Sequence, residues 1–318
     1  MAAPFEVQQP RDHGGGLDAA RARWGEGDWL DLSTGIAPVP YPLPPLPAAL
    51  WTALPDRRAA ESLEAAARVA WNVPAGAAIL PAPGASALIA RLPLLAGPPG
   101  RVSIPGPTYN EHAAAFRQAG WVVEDDFGAE NACVLVNPNN PDGRQWTDAD
   151  AKATFTVIDE SFCDIAPDAS LVALSTRPGT VILKSFGKFW GLAGLRLGFA
   201  IGHPATLAPL RETLGPWPVS GPALAIGTTA LRDRPWAEAA RVRYAADARR
   251  LDALLGAHGR LLGGTSLFRL YDVGDALRMQ DRLARRHIWS RTFPWSASLL
   301  RLGLPPPAGW ARLETALG

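Results

Sequence analysis

One stretch limits what this chain can fold into more than any other. The apolar run Thr180 to Leu183 leads into Lys184-Ser185-Phe186-Gly187-Lys188-Phe189-Trp190-Gly191-Leu192-Ala193-Gly194-Leu195-Arg196-Leu197-Gly198. The run reads as a buried strand, the three glycines after it as a loop, and Leu197 to Ile201 as a second short strand. A lysine held between two strands is poorly solvated, so its ammonium pKa falls and its amine becomes a usable nucleophile. Such a lysine can form a Schiff base with a carbonyl cofactor. Arg196, eight residues beyond Lys188, can return to the same pocket and clamp a phosphate with its planar fork. Ser185, three residues before Lys188, adds a hydroxyl. Lys184, at the strand end, is read as structural.

The pattern Ser-x-x-Lys followed by Gly-Leu-x-Gly-Leu-Arg-x-Gly resembles the active-site segment of the aminotransferase class I/II, or fold-type I, superfamily of pyridoxal-phosphate (PLP) enzymes. The resemblance implies that Lys188 is the Schiff-base lysine and that Ser185 and Arg196 hold the cofactor phosphate. The plainer alternative is a surface loop with two lysines and an arginine.

Composition narrows the class. The chain has 318 residues, enough for one large or two modest domains with a substantial core. Its net charge of +1 gives no attraction to nucleic acid or membrane, and neither partner is expected. Cys133 and Cys163 lie in or beside apolar strands and read as buried and free. No CxxC occurs and the five histidines show no metal spacing, so no metal is expected. The start, Met-Ala-Ala-Pro-Phe-Glu, lacks the regions of a signal peptide, and no apolar run is long enough to span a bilayer; a cytoplasmic protein is the expectation.

Along the chain, helix 61–71 precedes strand 77–80, the turn Pro83-Gly84-Ala85-Ser86 and helix 87–95. A strand, a small-residue turn and a helix present free backbone N–H groups to a phosphate. In the superfamily this turn is the other half of the phosphate cup, a role that falls on Gly84, Ala85 and Ser86. Strand 101–104 ends near Tyr109, an aromatic that by resemblance stacks on the pyridine ring or, more plainly, packs at a helix start. Strand 132–136 runs into Asn137-Pro138-Asn139-Asn140-Pro141-Asp142-Gly143, a rigid turn. The resemblance puts Asn140 on the cofactor's 3′ oxygen. Residues 147–153 leave room for only two helical turns before strand 155–158. That strand ends at Asp159, a buried carboxylate that needs a partner. The pyridinium N–H of PLP is such a partner.

Strands and helices alternate from about residue 77 to 201. The fold class is therefore α/β, with a mostly parallel central sheet flanked by helices. From Pro204 helices 204–214 and 222–255 lead to strand 266–271, helix 274–286 and strands 288–291 and 299–302, a smaller α+β C-terminal domain. The domain reading is an arm 1–30 packing with the small domain, a PLP-binding domain 31–216 and a small domain 217–318.

Other segments resemble one subfamily, the threonine-phosphate decarboxylases of cobalamin biosynthesis, relatives of histidinol-phosphate aminotransferase. They are His13-Gly14-Gly15, Asp31-Leu32-Ser33-Thr34-Gly35-Ile36-Ala37-Pro38, Gly263 to Leu270 and Arg301-Leu302-Gly303-Leu304-Pro305. Phe162 stands where most aminotransferases carry a tyrosine that bonds the 3′ oxygen, and Leu54 where a tyrosine often reaches the phosphate across the dimer. The resemblance implies PLP-dependent decarboxylation of a phosphorylated amino acid, in a homodimer with its site at the interface. It places Arg301 on the substrate carboxylate; a substrate with two anionic groups needs further cations, and Arg291 is the candidate for its phosphate, with His13 as a helper. A histidinol-phosphate-type aminotransferase and a non-catalytic PLP-fold protein are the alternatives.

Overall fold

Seven strands build the sheet at whose strand ends Asn140, Asp159, Ser185, Lys188 and Arg196 lie. The computed structural model describes residues 11–128 and 131–318. Its first part contains α1 (Leu17–Trp24), β1 (Leu30–Asp31), α2 (Ala49–Thr52), α3 (Arg57–Ala70), β2 (Ala78–Ala82), α4 (Ala85–Ile89), β3 (Arg101–Ser103), α5 (Asn110–Gln118), β4 (Val122–Glu124), β5 (Ala132–Val136), β6 (Phe155–Asp159), β7 (Thr180–Ser185) and β8 (Gly198–Gly202). There follow α6 (Pro204–Leu214), α7 (Gly221–Arg232), α8 (Arg234–Leu255), β9 (Arg260–Thr265), β10 (Phe268–Asp272), α9 (Ala276–Ala284), β11 (Ile288–Trp289), β12 (Arg291–Phe293), β13 (Ser296–Gly303) and α10 (Trp310–Leu317). The large sheet has the order β2-β8-β7-β6-β5-β3-β4. Only β8 runs against its neighbours, so the mostly parallel α/β reading holds.

Alternation along the strands sends side chains to two cores. Val181, Leu183 and Ala200 face one core with Leu88 and Ile89 of α4, Phe116 of α5 and Leu207 of α6. Ile182, Phe199 and Ile201 face the other with Leu63 of α3, Leu224 of α7 and Tyr244 of α8. This second core continues into Phe268, Leu300 and Leu302 of the antiparallel sheet β12-β13-β10-β9. It therefore fixes the small sheet against the large one. β1 pairs in parallel with β11, which ties the amino-terminal segment to the carboxy-terminal elements.

Several boundaries differ from the sequence reading. The helix expected over 87–95 is α4 plus a 3-10 turn, Leu92–Leu94, because Pro93 cannot donate to a continuing helix. The connection expected to hold two helical turns holds only a 3-10 turn, Asp148–Asp150, closed by a capping box with Thr147. The long helix expected over 222–255 breaks at Asp233, which caps α8 by accepting from Trp236 N. β9 was not anticipated, since its Leu261 and Leu262 are both exposed and two glycines follow them.

Candidate active site

The ends of β5, β6 and β7 converge on an inner cavity of about 120 Å³, lined by Val136, Asp159, Ser185, Lys188 and Arg196 among others. Parallel strands bring their carboxyl ends to one edge, and ligands of open α/β sheets bind there. An outer cavity of about 350 Å³ shares Tyr109, Asn140, Phe162 and Lys188 with it and extends to His13, Arg291, Trp295 and Arg301.

Asp159 is buried at the inner end of this site. Its Oδ2 lies 2.8 Å from His112 Nε2. Its Oδ1 accepts from Ser161 N at 2.9 Å and from Ser161 Oγ at 2.6 Å. Burial opposes the charge, but the bonds from His112 and Ser161 outweigh it and hold the carboxyl below its usual range. His112 is fully buried and its Nδ1 has no partner among the described residues. Sequence reasoning missed it. The available signal was its place one helical turn after Tyr109 on α5, which puts both on one face.

Lys188 lies in the loop after β7. Its Nζ is 5.3 Å from the centre of the Phe162 ring. Among the described residues no carboxylate stands within ion-pair distance. Burial, followed by the Arg301 charge, pulls its ammonium down to about 8, against an opposing pull from Asp159. The loop is held by the segment after Gly35, where Ala37 N donates to Lys188 O at 3.0 Å and Tyr41 N to Trp190 O at 2.9 Å.

The opposite end of the inner cavity is cationic. Gly84 (φ 88°) precedes α4, and a carbon added to it would stand 2.6 Å from Arg196 Nη2. Only glycine lets the guanidinium lie on this turn. Arg196 itself is left-handed (φ 52°) and donates from Nη1 to Ala193 O at 3.2 Å. Ala85 and Ser86 occupy the first turn of α4, where backbone N–H groups have no intrahelical acceptor. Ser185 Oγ accepts from Gly187 N at 3.2 Å, which leaves its hydrogen free to be donated.

In the outer cavity Arg301 is buried. It donates from Nη1 to Asn140 Oδ1 and from Nη2 to Ser33 O at 2.6 Å, while its Nε has no partner among the described residues. Burial and the nearby Arg291 draw it down to about 9. Arg291 and Arg301 are direct cross-strand partners on β12 and β13. Arg291 is already engaged. Both its Nη atoms meet the Asp12 carboxylate, and Nη1 also donates to His13 O at 2.9 Å. The His13 ring pairs with Glu111 at 2.9 Å. Phe162 packs edge-on against Phe268, with ring centres 4.9 Å apart. Every residue named from the sequence thus lies in or beside the two cavities except Gly84, which reaches them through Arg196. Asp12, Ser33, His112, Ser161 and Trp295 were not foreseen.

The turn after β5 owes its shape to Asp142, which stands where the superfamily pattern has threonine. Its Oδ1 accepts from Asn139 Nδ2 at 2.8 Å and Arg144 N at 3.0 Å. Asp142 O accepts from Gly264 N at 2.7 Å, and so joins the turn to the β9–β10 hairpin.

The comparisons with known proteins agree with this geometry. Residues 124–304 match the family described as aminotransferase class I and II. A threonine-phosphate decarboxylase of Pseudomonas aeruginosa is 44% identical, over 96% of this chain and 97% of that protein. Another, from Sinorhizobium sp, is 41% identical over 98% of each. The crystal structure of histidinol-phosphate aminotransferase from Sinorhizobium meliloti in complex with pyridoxal-5′-phosphate superposes with a TM-score of 0.81 at 20% identity, covering 99% of this chain and 97% of that one. The chain belongs to the aminotransferase class I and II family.

Proposed function

We propose that the protein is a PLP-dependent carboxy-lyase that converts L-threonine O-3-phosphate to (R)-1-amino-2-propanol O-2-phosphate, a step of cobalamin biosynthesis. The carrying observation is the outer cavity, where two arginines stand side by side next to Lys188. A substrate with a carboxylate and a phosphate needs two such cations. The near-full-length likeness to two threonine-phosphate decarboxylases supports the same reading.

The residues present fit the cofactor at three stations. Arg196 and the N–H groups of Ala85 and Ser86 form an anion seat, and Arg196 pairs with no carboxylate among the described residues. The ionised Asp159 would face the ring nitrogen of the bound cofactor. Lys188 supplies the amine between them. Bound there, PLP supplies a carbonyl for the substrate amine and a ring that takes up the electron pair left when CO2 departs. Asp159, kept ionised by His112 and Ser161, would keep the ring nitrogen protonated. Asn140 gives its Oδ1 to Arg301, so its Nδ2 is left to donate to the 3′ oxygen. Tyr109 and Phe162, which line the inner cavity, would give the ring apolar flanks. Lys188 would hold the proton that is returned to Cα. Arg301 holds the substrate carboxylate, Arg291 and His13 its phosphate.

A homodimer, a cytoplasmic location and the division into 1–30, 31–216 and 217–318 belong to the same proposal. Exposed Leu43, Trp51 and Leu54 near α2 supply apolar surface for a second copy. Both cysteines are free and buried, which suits a reducing compartment, and among the described residues no helix is long and apolar enough to cross a membrane.

The test is a product assay on the PLP-loaded protein with L-threonine O-3-phosphate, with and without 2-oxoglutarate. CO2 and aminopropanol phosphate formed regardless of the oxoacid are the expected result. Oxoacid-dependent glutamate from histidinol phosphate, with no CO2, assigns it instead to the aminotransferases, the second reading, which 30% identity to a histidinol-phosphate aminotransferase of Bordetella bronchiseptica over 80% of this chain supports.

A further inference from the structure

Arg291 and Arg301 face each other directly across two antiparallel strands. Like charges in that position repel. The structure already contains the group that relieves them, the Asp12 carboxylate bound to both Nη atoms of Arg291. We propose that Asp12 is the specificity-determining residue of the phosphate subsite: its carboxylate fills the Arg291 fork and yields it only to a phosphate dianion. This rests on the reading of Arg291 as the phosphate ligand.

Three observations carry it. The pair is asymmetric, with the Asp12 side chain 43% exposed and that of Arg291 13%. The anion therefore sits on the wet side and can swing into water while the cation stays. Water screens the carboxylate side of the pair, which lowers the cost of exchanging it for another anion. Second, the strap that bears Asp12 does not depend on that carboxylate. Asp12 O accepts from Asn110 Nδ2 at 2.7 Å and from Arg291 Nη2 at 3.2 Å. Gly15 N donates to Ser33 Oγ at 2.7 Å, and Gly15 O accepts from Trp289 Nε1 at 2.9 Å. Arg11 and His13 are both held by Glu111 of α5. The strap stays as a wall of the cavity when the carboxylate leaves. Third, the exchange discriminates. A ligand carboxylate merely replaces one carboxylate by another and loses its own freedom. A phosphate dianion brings a second charge and a third oxygen to a site with Arg291, His13 and Arg301 around it. No bond or proton is transferred; one anion replaces another.

The experiment is calorimetric titration of the PLP-loaded protein with inorganic phosphate, the cofactor filling its own phosphate seat. Asp12→Asn removes the competing charge and keeps the shape. It is expected to bind phosphate more tightly, by up to about fivefold. Asp12→Glu keeps the competitor and stays near wild type. Arg291→Ala weakens phosphate binding, and adding Asp12→Asn to it restores nothing. Unchanged or weaker phosphate binding by Asp12→Asn, or a gain that persists without Arg291, overturns the proposal. The titration needs no turnover, so a protein that behaves as expected here yet releases no CO2 keeps this inference and loses the decarboxylase reading.

Discussion

Lys184 and Lys188 lie four residues apart, one at the end of β7 and one in the loop after it, yet the fold gives them opposite properties. Lys184 is 2% exposed, with Glu160 at 2.7 Å and Asp164 at 3.7 Å. Those carboxylates override the cost of burial and raise its pKa. Asp164 also accepts from Trp71 Nε1 at 2.9 Å and Trp190 Nε1 at 2.8 Å, and Glu160 from Ser170 Oγ at 2.7 Å. Lys188 has cations for neighbours and a phenyl ring beneath it, and its pKa falls. Burial alone therefore does not make a lysine nucleophilic. Burial without a counter-charge does. The first lysine is a fixed cation that pins the segment after β6, and the second is left without such partners, its amine poised for the nucleophilic role proposed for it.

The largest effect that tests this contrast is on turnover. Lys188→Ala is expected to lower CO2 release at least about 10³-fold. Borohydride reduction of wild type should fix the cofactor to the peptide bearing Lys188, and labelling of Lys184 instead would break the comparison. Lys184→Ala acts on the fold, because it leaves Glu160 and Asp164 buried without their cation. Urea unfolding should show a loss of about 3–5 kcal/mol. His112→Ala removes a bond to an ionised group, and cofactor retention measured by dialysis should weaken roughly 10- to 100-fold. The depressed pKa of Lys188 has a definite sign in cofactor-free protein. Between about 8 and 10.5 the unfolded chain carries the proton and the folded chain does not, so this lysine's contribution to stability rises with pH across that window. Lys188→Met should accordingly melt higher than wild type at pH 7, with the difference closing toward pH 10.5. Differential scanning calorimetry at several pH values reads it. The smallest effect is at Phe162. A hydroxyl there adds a donor to the 3′ oxygen, so Phe162→Tyr should lower the pH midpoint of the loaded enzyme's visible absorbance by about one unit or less.

Much of the site was legible because its residues sit where strands end. Asp159 closes an apolar strand, Asn140 belongs to an Asn-Pro turn, and Lys188 and Arg196 lie in a glycine loop between two strands. Lys184 was read as structural from its position alone, but its partners were not legible. Glu160 and Asp164 lie twenty or more residues away, and nothing local says that they turn under the same strand. His112 was hidden for the same reason, since a histidine within a helix carries no mark of the carboxylate it will meet. For Arg291, assigned to the substrate phosphate, nothing local shows that the fold closes it onto Asp12, 279 positions away.

The sequence by itself determined the alternation of strand and helix, the two-faced sheet and the chemical kinds gathered at its edge. These follow from local pattern: short continuous apolar runs, proline and glycine at turns, and small residues where backbone and guanidinium must touch. Only the tertiary structure decided which lysine keeps its proton, what holds Asp159 ionised and which anion occupies Arg291. Each of those depends on charges brought within a few ångströms from distant parts of the chain, where low dielectric makes the neighbour, more than the residue type, set the protonation state.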